Sequence, residues 1–353
     1  MTGLVAALPA PTRVWSPQPP TGRPRFGVPT IDDVAALAAW LNLSLEELDW
    51  FAARGRWSVR AAPRLRHYRV ARIAKRGGGV RIIEAPKERL ATIQRTILDH
   101  ILIAVPPHPA AHGFVRGHSV IDFAQPHTGR RVLVREDLRH CFEHVTYPRV
   151  KAVFGAIGYP PPVATYLAGL CTTVVAVADR TGLTPLHAAL LRERHLPQGA
   201  PPSPALLNLV LRRLDFRIAG YAAAHHLTYT RYADDLAFSG DEVDVGALRW
   251  FIGRVVASEG FVVHPDKTQV MYDHQRQRLG GLVVNEGVRA SRHDFDALKA
   301  LLHNAARTGG EAQNRAGLPD FRAHVYGRIE WVSTGSPERR ARLLAMAGRV
   351  DWG

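Results

Sequence analysis

Two acidic residues in succession, Asp234 and Asp235, stand between residues 227–231 and 236–239, two short runs of strand-forming side chains. The spacing predicts a hairpin with both carboxylates at its tip. Adjacent acids at a turn are commonly no more than solvated turn formers. A third acid gives the pair chemical meaning: Asp137 follows a strand-like run at 131–135 and precedes Leu138, Cys141 and Phe142. Carboxylates delivered by two separate strands can bridge hard divalent cations such as Mg2+. Phosphoryl transfer in nucleic-acid synthesis uses two such ions about 3.5–4 Å apart, one activating the attacking hydroxyl and the other neutralising the leaving pyrophosphate.

The cations point to the same substrate class. Lys and Arg number 46 against 31 Asp and Glu in 353 residues, a formal net charge of +15. The excess is concentrated: residues 54–98 hold 13 Arg and Lys but only Glu84 and Glu88 as acids. A solvated face would mix both signs, whereas a one-sign block interleaved with Trp57, Tyr68 and Ile82 suits phosphate contacts with counterion release, with Arg60, Arg64, Arg66, Arg69 and Arg72 as candidates. Only five cations are Lys, and a lysine can give up a proton where an arginine cannot. Two cysteines, Cys141 and Cys171, make neither a disulfide framework nor a four-thiolate zinc site, and the 17 histidines form no zinc-spaced cluster. No apolar run approaches the roughly 18 residues that cross a bilayer, so the expected setting is the cytoplasm.

The elements that must position these groups are legible in outline. Residues 1–29 carry seven prolines without apolar periodicity and read as an extended arm. Thr30 with Asp33, and Ser44 with Glu47, predict two capped helices over 30–53. Residues 68–73 and 80–83 predict a basic hairpin around Lys75 to Gly79, helical patterns follow at 88–104 and 203–225, and a further helix ends at Gly309 and Gly310. Strands and helices alternate without a regular βαβ beat, which predicts α+β.

Four motifs match a family. Arg231-Tyr232-Ala233-Asp234-Asp235-Leu236-Ala237-Phe238-Ser239 resembles the Tyr-x-Asp-Asp motif of reverse transcriptases, and residues 196–204, Leu-Pro-Gln-Gly-Ala-Pro-Pro-Ser-Pro, resemble their nucleotide-contacting motif. Asp137-Leu138-Arg139-His140-Cys141-Phe142 is similar to the first carboxylate motif, and Gly260-Phe261 with Lys267-Thr268 to the motif beyond the catalytic hairpin. The order is the family's, and the resemblance covers about residues 30 to 345. Ala111-His112-Gly113-Phe114, the run from Ile93-Gln94-Arg95 to Leu98, and residues 206–215 resemble the bacterial retron type.

The resemblance implies a right-hand polymerase with a helical N-terminal extension: an arm at 1–29, helices at 30–53, interleaved fingers and palm at 54–285, and a helical thumb at 286–353. On the length given, no nuclease or integrase domain of about 100 residues or more is expected. The resemblance implies that Asp137 and Asp234 bind two Mg2+ ions, with Asp235 completing the site. It makes Phe142 the steric gate against a 2′-hydroxyl, places Gln198 and Gly199 in the nucleotide pocket, gives Lys75 and Arg81 to the triphosphate and makes Lys267 a candidate general acid. It also implies a cognate structured noncoding RNA as template and primer, dNTPs as substrates, a branched RNA-linked single-stranded DNA product, and work with a neighbouring effector protein in defence against phage.

Three positions depart from the pattern. Phe123-Ala124-Gln125-Pro126-His127 stands where retron enzymes carry Asn-Ala-x-x-His, Leu279-Gly280-Gly281 stands where they carry Val-Thr-Gly, and Glu136 replaces an apolar neighbour of the first carboxylate. The first two elements are associated in the family with choice of RNA. Three rivals remain: a group II intron-like or CRISPR-associated enzyme, separated by genomic neighbourhood; an abortive-infection type that extends DNA without template, separated by product sequence; and a noncatalytic RNA-binding scaffold, which incorporates no nucleotide. Charge alone yields a first prediction. Replacing several of Arg60, Arg64, Arg66, Arg69 and Arg72 weakens RNA binding and flattens its dependence on log salt by about 0.7–0.9 for each phosphate no longer neutralised, measured by filter binding across a salt series.

Overall fold

The computed structural model describes residues 25–53, 62–74 and 79–353. Most of the proline-rich arm, Arg60 and Lys75 lie outside the described residues. In chain order the elements used below are α1 (Val34–Trp40), α2 (Leu45–Ala52), β1 (Tyr68–Ala74), β2 (Val80–Pro86), α3 (Glu88–Ile97), α4 (Val120–Ala124), β3 (Val132–Asp137), α5 (Tyr147–Ile157), α6 (Pro161–Cys171) and α7 (Pro185–Arg192). They continue with α8 (Ser203–Ala224), β4 (Thr228–Tyr232), β5 (Asp235–Gly240), α9 (Val245–Ser258), β6 (Gln269–Tyr272), β7 (Arg278–Leu279), β8 (Leu282–Val283), α10 (Arg292–Thr308), α11 (Phe321–Val332) and α12 (Pro337–Ala347). The described residues fall into two compact units. One takes the chain through Pro107 together with Phe142–Arg213; the other takes His108–Cys141 and Leu214–Gly353.

In the first unit, Ser44 and Glu47 form the expected capping box on α2. The expected cap at Thr30 is displaced: Asp33 caps α1, its carboxylate accepting from Ala36 N at 2.7 Å, and Ile31 before it is buried. Asp33 wins because an ionised carboxylate facing free N–H groups is the stronger acceptor. β1 and β2 pair antiparallel from Tyr68 opposite Pro86 to Ala74 opposite Val80, the predicted basic hairpin. The helical pattern at 88–104 divides into α3 and one wider turn, where Ile103 N donates to Leu98 O at 3.0 Å.

Arg194 binds this unit together. Its guanidinium donates to Ala52 O, Ala53 O, Gly169 O and Thr172 O at 2.6–3.1 Å, and so supplies donors and positive charge to the carboxyl ends of α2 and α6. Beside it, His195 Nε2 lies 3.0 Å from Glu84 Oε2 with both side chains buried. Burial works against a charged imidazole, but the Glu84 carboxylate outweighs it and raises the His195 pKa.

The second unit is built on an antiparallel sheet in the order β4-β5-β3-β6. Leu133, Ala237, Leu279, Leu282, Val284 and Phe123 form one buried apolar cluster of this unit. Phe123 and Leu279, residues of the two elements that diverge from the retron pattern, thus share a core. In α10, α11 and α12, Leu298, Leu302, Val325, Ile329 and Leu343 make a separate buried cluster. Apolar residues at helical spacing on three helices are sufficient to close such a core. Among the described residues no helix is long and apolar enough to cross a membrane.

Candidate active site

The sheet register brings the distant acids together. β3 and β5 are neighbours, and their pairing sets Asp137 directly opposite Asp235. Asp234 occupies the turn from β4 into β5, and its carbonyl accepts from Leu138 N at 2.9 Å. Asp137 O in turn accepts from His264 N at 2.7 Å. All three acids therefore lie at one end of two adjacent strands.

The turn is held in an uncommon conformation. Ala233 has φ of 56°, the left-handed region that a non-glycine residue enters only when its surroundings compensate. The compensation comes from Arg231, fully buried on β4. Its Nη1 donates to Ala233 O at 2.8 Å, while Nε and Nη2 donate to the two oxygens of Asp215 on α8 at 2.8 and 2.7 Å. Tyr229 OH donates to the same carboxylate at 2.8 Å. The backbone of Arg231 is also occupied, its N donating to Ala110 O and its O accepting from His112 N. That bridge draws Ala111-His112-Gly113-Phe114 against the turn, and a Cβ on Gly113 would stand 2.4 Å from Ala233 N. Only glycine permits this approach.

His127 fastens the same hairpin from beneath. Nε2 lies 2.7 Å from Thr230 Oγ1 and Nδ1 lies 2.7 Å from Ser239 Oγ, one partner on each strand. Thr230 spends its own proton on Phe123 O, so Nε2 carries the hydrogen and Ser239 donates to Nδ1. Burial pushes the imidazole pKa down to about 3, and the ring stays neutral. The histidine of the divergent segment thus ties the β4–β5 hairpin to α4.

Cations already sit on two of the acids. Lys267 Nζ lies 2.9 Å from both oxygens of Asp137. Arg135, two residues before Asp137 on β3, donates from Nη2 to both oxygens of Asp235 at 2.7 Å and from Nε to Oδ1 at 3.1 Å. Burial, then the charges of Asp137 and Asp235, push the Asp234 pKa up to about 6. Burial raises Asp235 as well, against the opposing pull of Arg135. A set of oxygen donors, crowded enough to repel one another and already attracting an ammonium and a guanidinium, fits hard divalent cations. Glu136 is no ligand: strand alternation turns it to the opposite face, where it is buried and accepts from Thr268 Oγ1 and from Arg249 Nε at 3.2 Å.

The remaining candidates lie in the first unit. Arg81 is exposed on β2, and Phe142 is half-buried. Gln198 O accepts from Glu84 N at 2.9 Å, which pins its loop to β2, and a Cβ on Gly199 would meet Glu84 O at 3.2 Å. Arg64 and Arg69 are exposed, whereas Arg66 pairs with Asp179 at 3.1 Å and Arg72 donates to Thr181 O at 2.7 Å. Reading the sequence missed Arg135, Asp215, Arg231 and His127 as parts of the site. For Arg135 the signal was available, since residues two apart on a strand share a face.

Residues 73–290 match the family described as reverse transcriptase (RNA-dependent DNA polymerase). The chain belongs to the reverse transcriptase family. Its relatives include the retron Mx65 reverse transcriptase of Myxococcus xanthus, 40% identical over 90% of this chain and 72% of that one. The retron Mx162 reverse transcriptase of the same organism is 36% identical over 85% of this chain and 64% of its own. The retron Ec86 reverse transcriptase of Escherichia coli is 32% identical over 80% and 81%. The protein is an RNA-directed DNA polymerase of the retron type. Reverse transcriptases are generally Mg2+-dependent, and those of retrons work with a noncoding RNA template to make DNA.

The crowding in this reverse transcriptase has a measurable cost. With Asp234 raised to about 6, this carboxyl holds its proton in the folded metal-free protein between about pH 4 and 6, where it is ionised in the unfolded chain. The contribution of this group is therefore full below about pH 4 and is lost as pH rises through about 6. Asp234→Asn should raise the melting temperature of the metal-free protein at pH 7.5, with the gain shrinking towards pH 4. Calorimetry in EDTA across that range checks both the sign and the trend.

Proposed function

We propose that this reverse transcriptase adds deoxynucleotides at Asp137, Asp234 and Asp235 with two Mg2+ ions, starting from a 2′-hydroxyl of a guanosine in its own noncoding RNA and leaving a branched RNA-linked single-stranded DNA. The observation that carries the reading is the cross-strand register of Asp137 with Asp235, with Asp234 at the adjoining turn. Bound Mg2+ would lower the pKa of the attacking hydroxyl and neutralise the departing pyrophosphate. Asp137 and Asp234 supply the oxygens that hold the ions, and Arg231, Gly113 and His127 fix the hairpin that presents them. In this reading Lys267, which contacts Asp137 at 2.9 Å, leaves it and offers its ammonium to the charge that develops on pyrophosphate.

In the same reading Phe142 excludes a 2′-hydroxyl by volume, Gln198 and Gly199 line the nucleotide pocket, and Arg81 and Lys75 grip the triphosphate. The strand-rich part of the second unit is the palm, α10 to α12 form the thumb, and the β1–β2 hairpin belongs to the fingers. Among the described candidates, exposed Arg64 and Arg69 are better placed for RNA phosphates than Arg66 and Arg72, which are already paired. The setting is cytoplasmic, and the biological role is defence against phage together with a neighbouring effector protein.

Incubating the purified protein with the RNA encoded beside its gene, radiolabelled dNTPs and Mg2+ tests the reading. Labelled DNA should appear, remain attached to RNA until a 2′,5′-debranching enzyme releases it, and vanish with an Asp234→Ala, Asp235→Ala form. DNA that carries no branch contradicts the priming step, and equal synthesis by the double variant contradicts the site.

A further inference from the structure

The three carboxylates of the site are not equivalent. Asp137 is covered by Lys267, whose side chain is 52% exposed and can swing into water. Asp234 makes no ion pair among the described residues. Asp235 is different again, because Arg135 engages both of its oxygens through three hydrogen bonds, with the two side chains only 30% and 19% exposed. An ammonium on a flexible stem exchanges readily for another cation. A guanidinium held in a bidentate fork does not, since its charge is permanent and both donors must be given up together.

Strand geometry explains how Arg135 comes to be there. It shares a face of β3 with Asp137, and Asp137 stands directly opposite Asp235 on β5. Like charges set opposite each other in an antiparallel pair destabilise the sheet. Arg135 itself stands opposite Ala237, whose methyl group leaves the diagonal open for a long side chain to reach Asp235. The guanidinium thus cancels the charge that would otherwise face Asp137 across the ladder.

We propose that Arg135 is a positioning residue that keeps Asp235 out of the ion-holding set, so that divalent cations are shared by Asp137 and Asp234 alone. The inference rests on the assignment of these acids as the metal site of the polymerase. With Arg135 in place the site offers two available carboxylates. Without it, Asp235 becomes a third, and cations are held more tightly and in the wrong place for nucleotide addition.

The test is a titration of Mn2+ by electron paramagnetic resonance, without nucleic acid or nucleotide, on the unaltered protein and on Arg135→Gln, Arg135→Met and Arg135→Lys. Primer extension at saturating metal is run on the same preparations, with circular dichroism to select the neutral variant that keeps its fold. The expected result is Mn2+ binding about tenfold tighter, or one further equivalent bound, in the neutral variant, together with slower extension. Arg135→Lys, whose ammonium can be exchanged for a divalent cation, should fall between the neutral variant and the unaltered protein in Mn2+ binding, and Arg135→Gln with Asp235→Asn should abolish the gain. Unchanged or weaker Mn2+ binding in the neutral variants, with normal binding and extension by the unaltered protein, overturns the role of Arg135 and leaves the polymerase site standing. Absence of Mn2+ binding by the unaltered protein overturns both.

Discussion

Mutual repulsion among three acids is the constraint on which the second unit depends. Asp137, Asp234 and Asp235 are of one sign, partly withdrawn from water, and set on neighbouring strand ends. Left alone, such a cluster would open or take up protons. Here it is opposed from two directions. Lys267 and Arg135 supply positive charge at the carboxylates, and the surrounding frame prevents the hairpin from relaxing. On the proposed function, this opposition keeps the acids ionised and close enough to attract divalent cations.

The frame is unusually explicit. Arg231 and Asp215 form a fully buried ion pair, a kind of contact whose desolvation cost often cancels its attraction. Its value is in what else the guanidinium does, for the third donor direction ends on Ala233 O inside the turn that carries Asp234. Gly113 closes the turn from outside, and His127 joins β4 to β5 through one hydroxyl on each. Each contact removes a way in which Asp234 could retreat from its neighbours.

Much of this was legible in the sequence, and the rest was hidden for identifiable reasons. The hairpin that carries Asp234 and Asp235, the capping box at Ser44 and the end of the helix at Gly309 are local patterns, and local patterns survive in one dimension. The cap was expected at Thr30 because Thr30 and Asp33 both satisfy the rule, and the stronger carboxylate acceptor of Asp33, with Ile31 buried before it, separates them only in the folded chain. Glu136 could be read as surface or as ligand until strand alternation turned it to a buried polar niche with Arg249 and Thr268. Asp215 and Arg231 belong to segments singled out by resemblance, yet nothing in their spacing says that they meet. The shared core of Phe123 and Leu279 is likewise a three-dimensional fact about two departures that stand far apart along the chain.

Anomalous diffraction from crystals grown with Mn2+, a primer-template and a non-hydrolysable nucleotide addresses the heart of the account. Two manganese peaks about 4 Å apart, each within coordinating distance of Asp137 and Asp234, are expected. Peaks that avoid either residue, or a single peak with Asp137 still covered by Lys267 while nucleotide is bound, would contradict it.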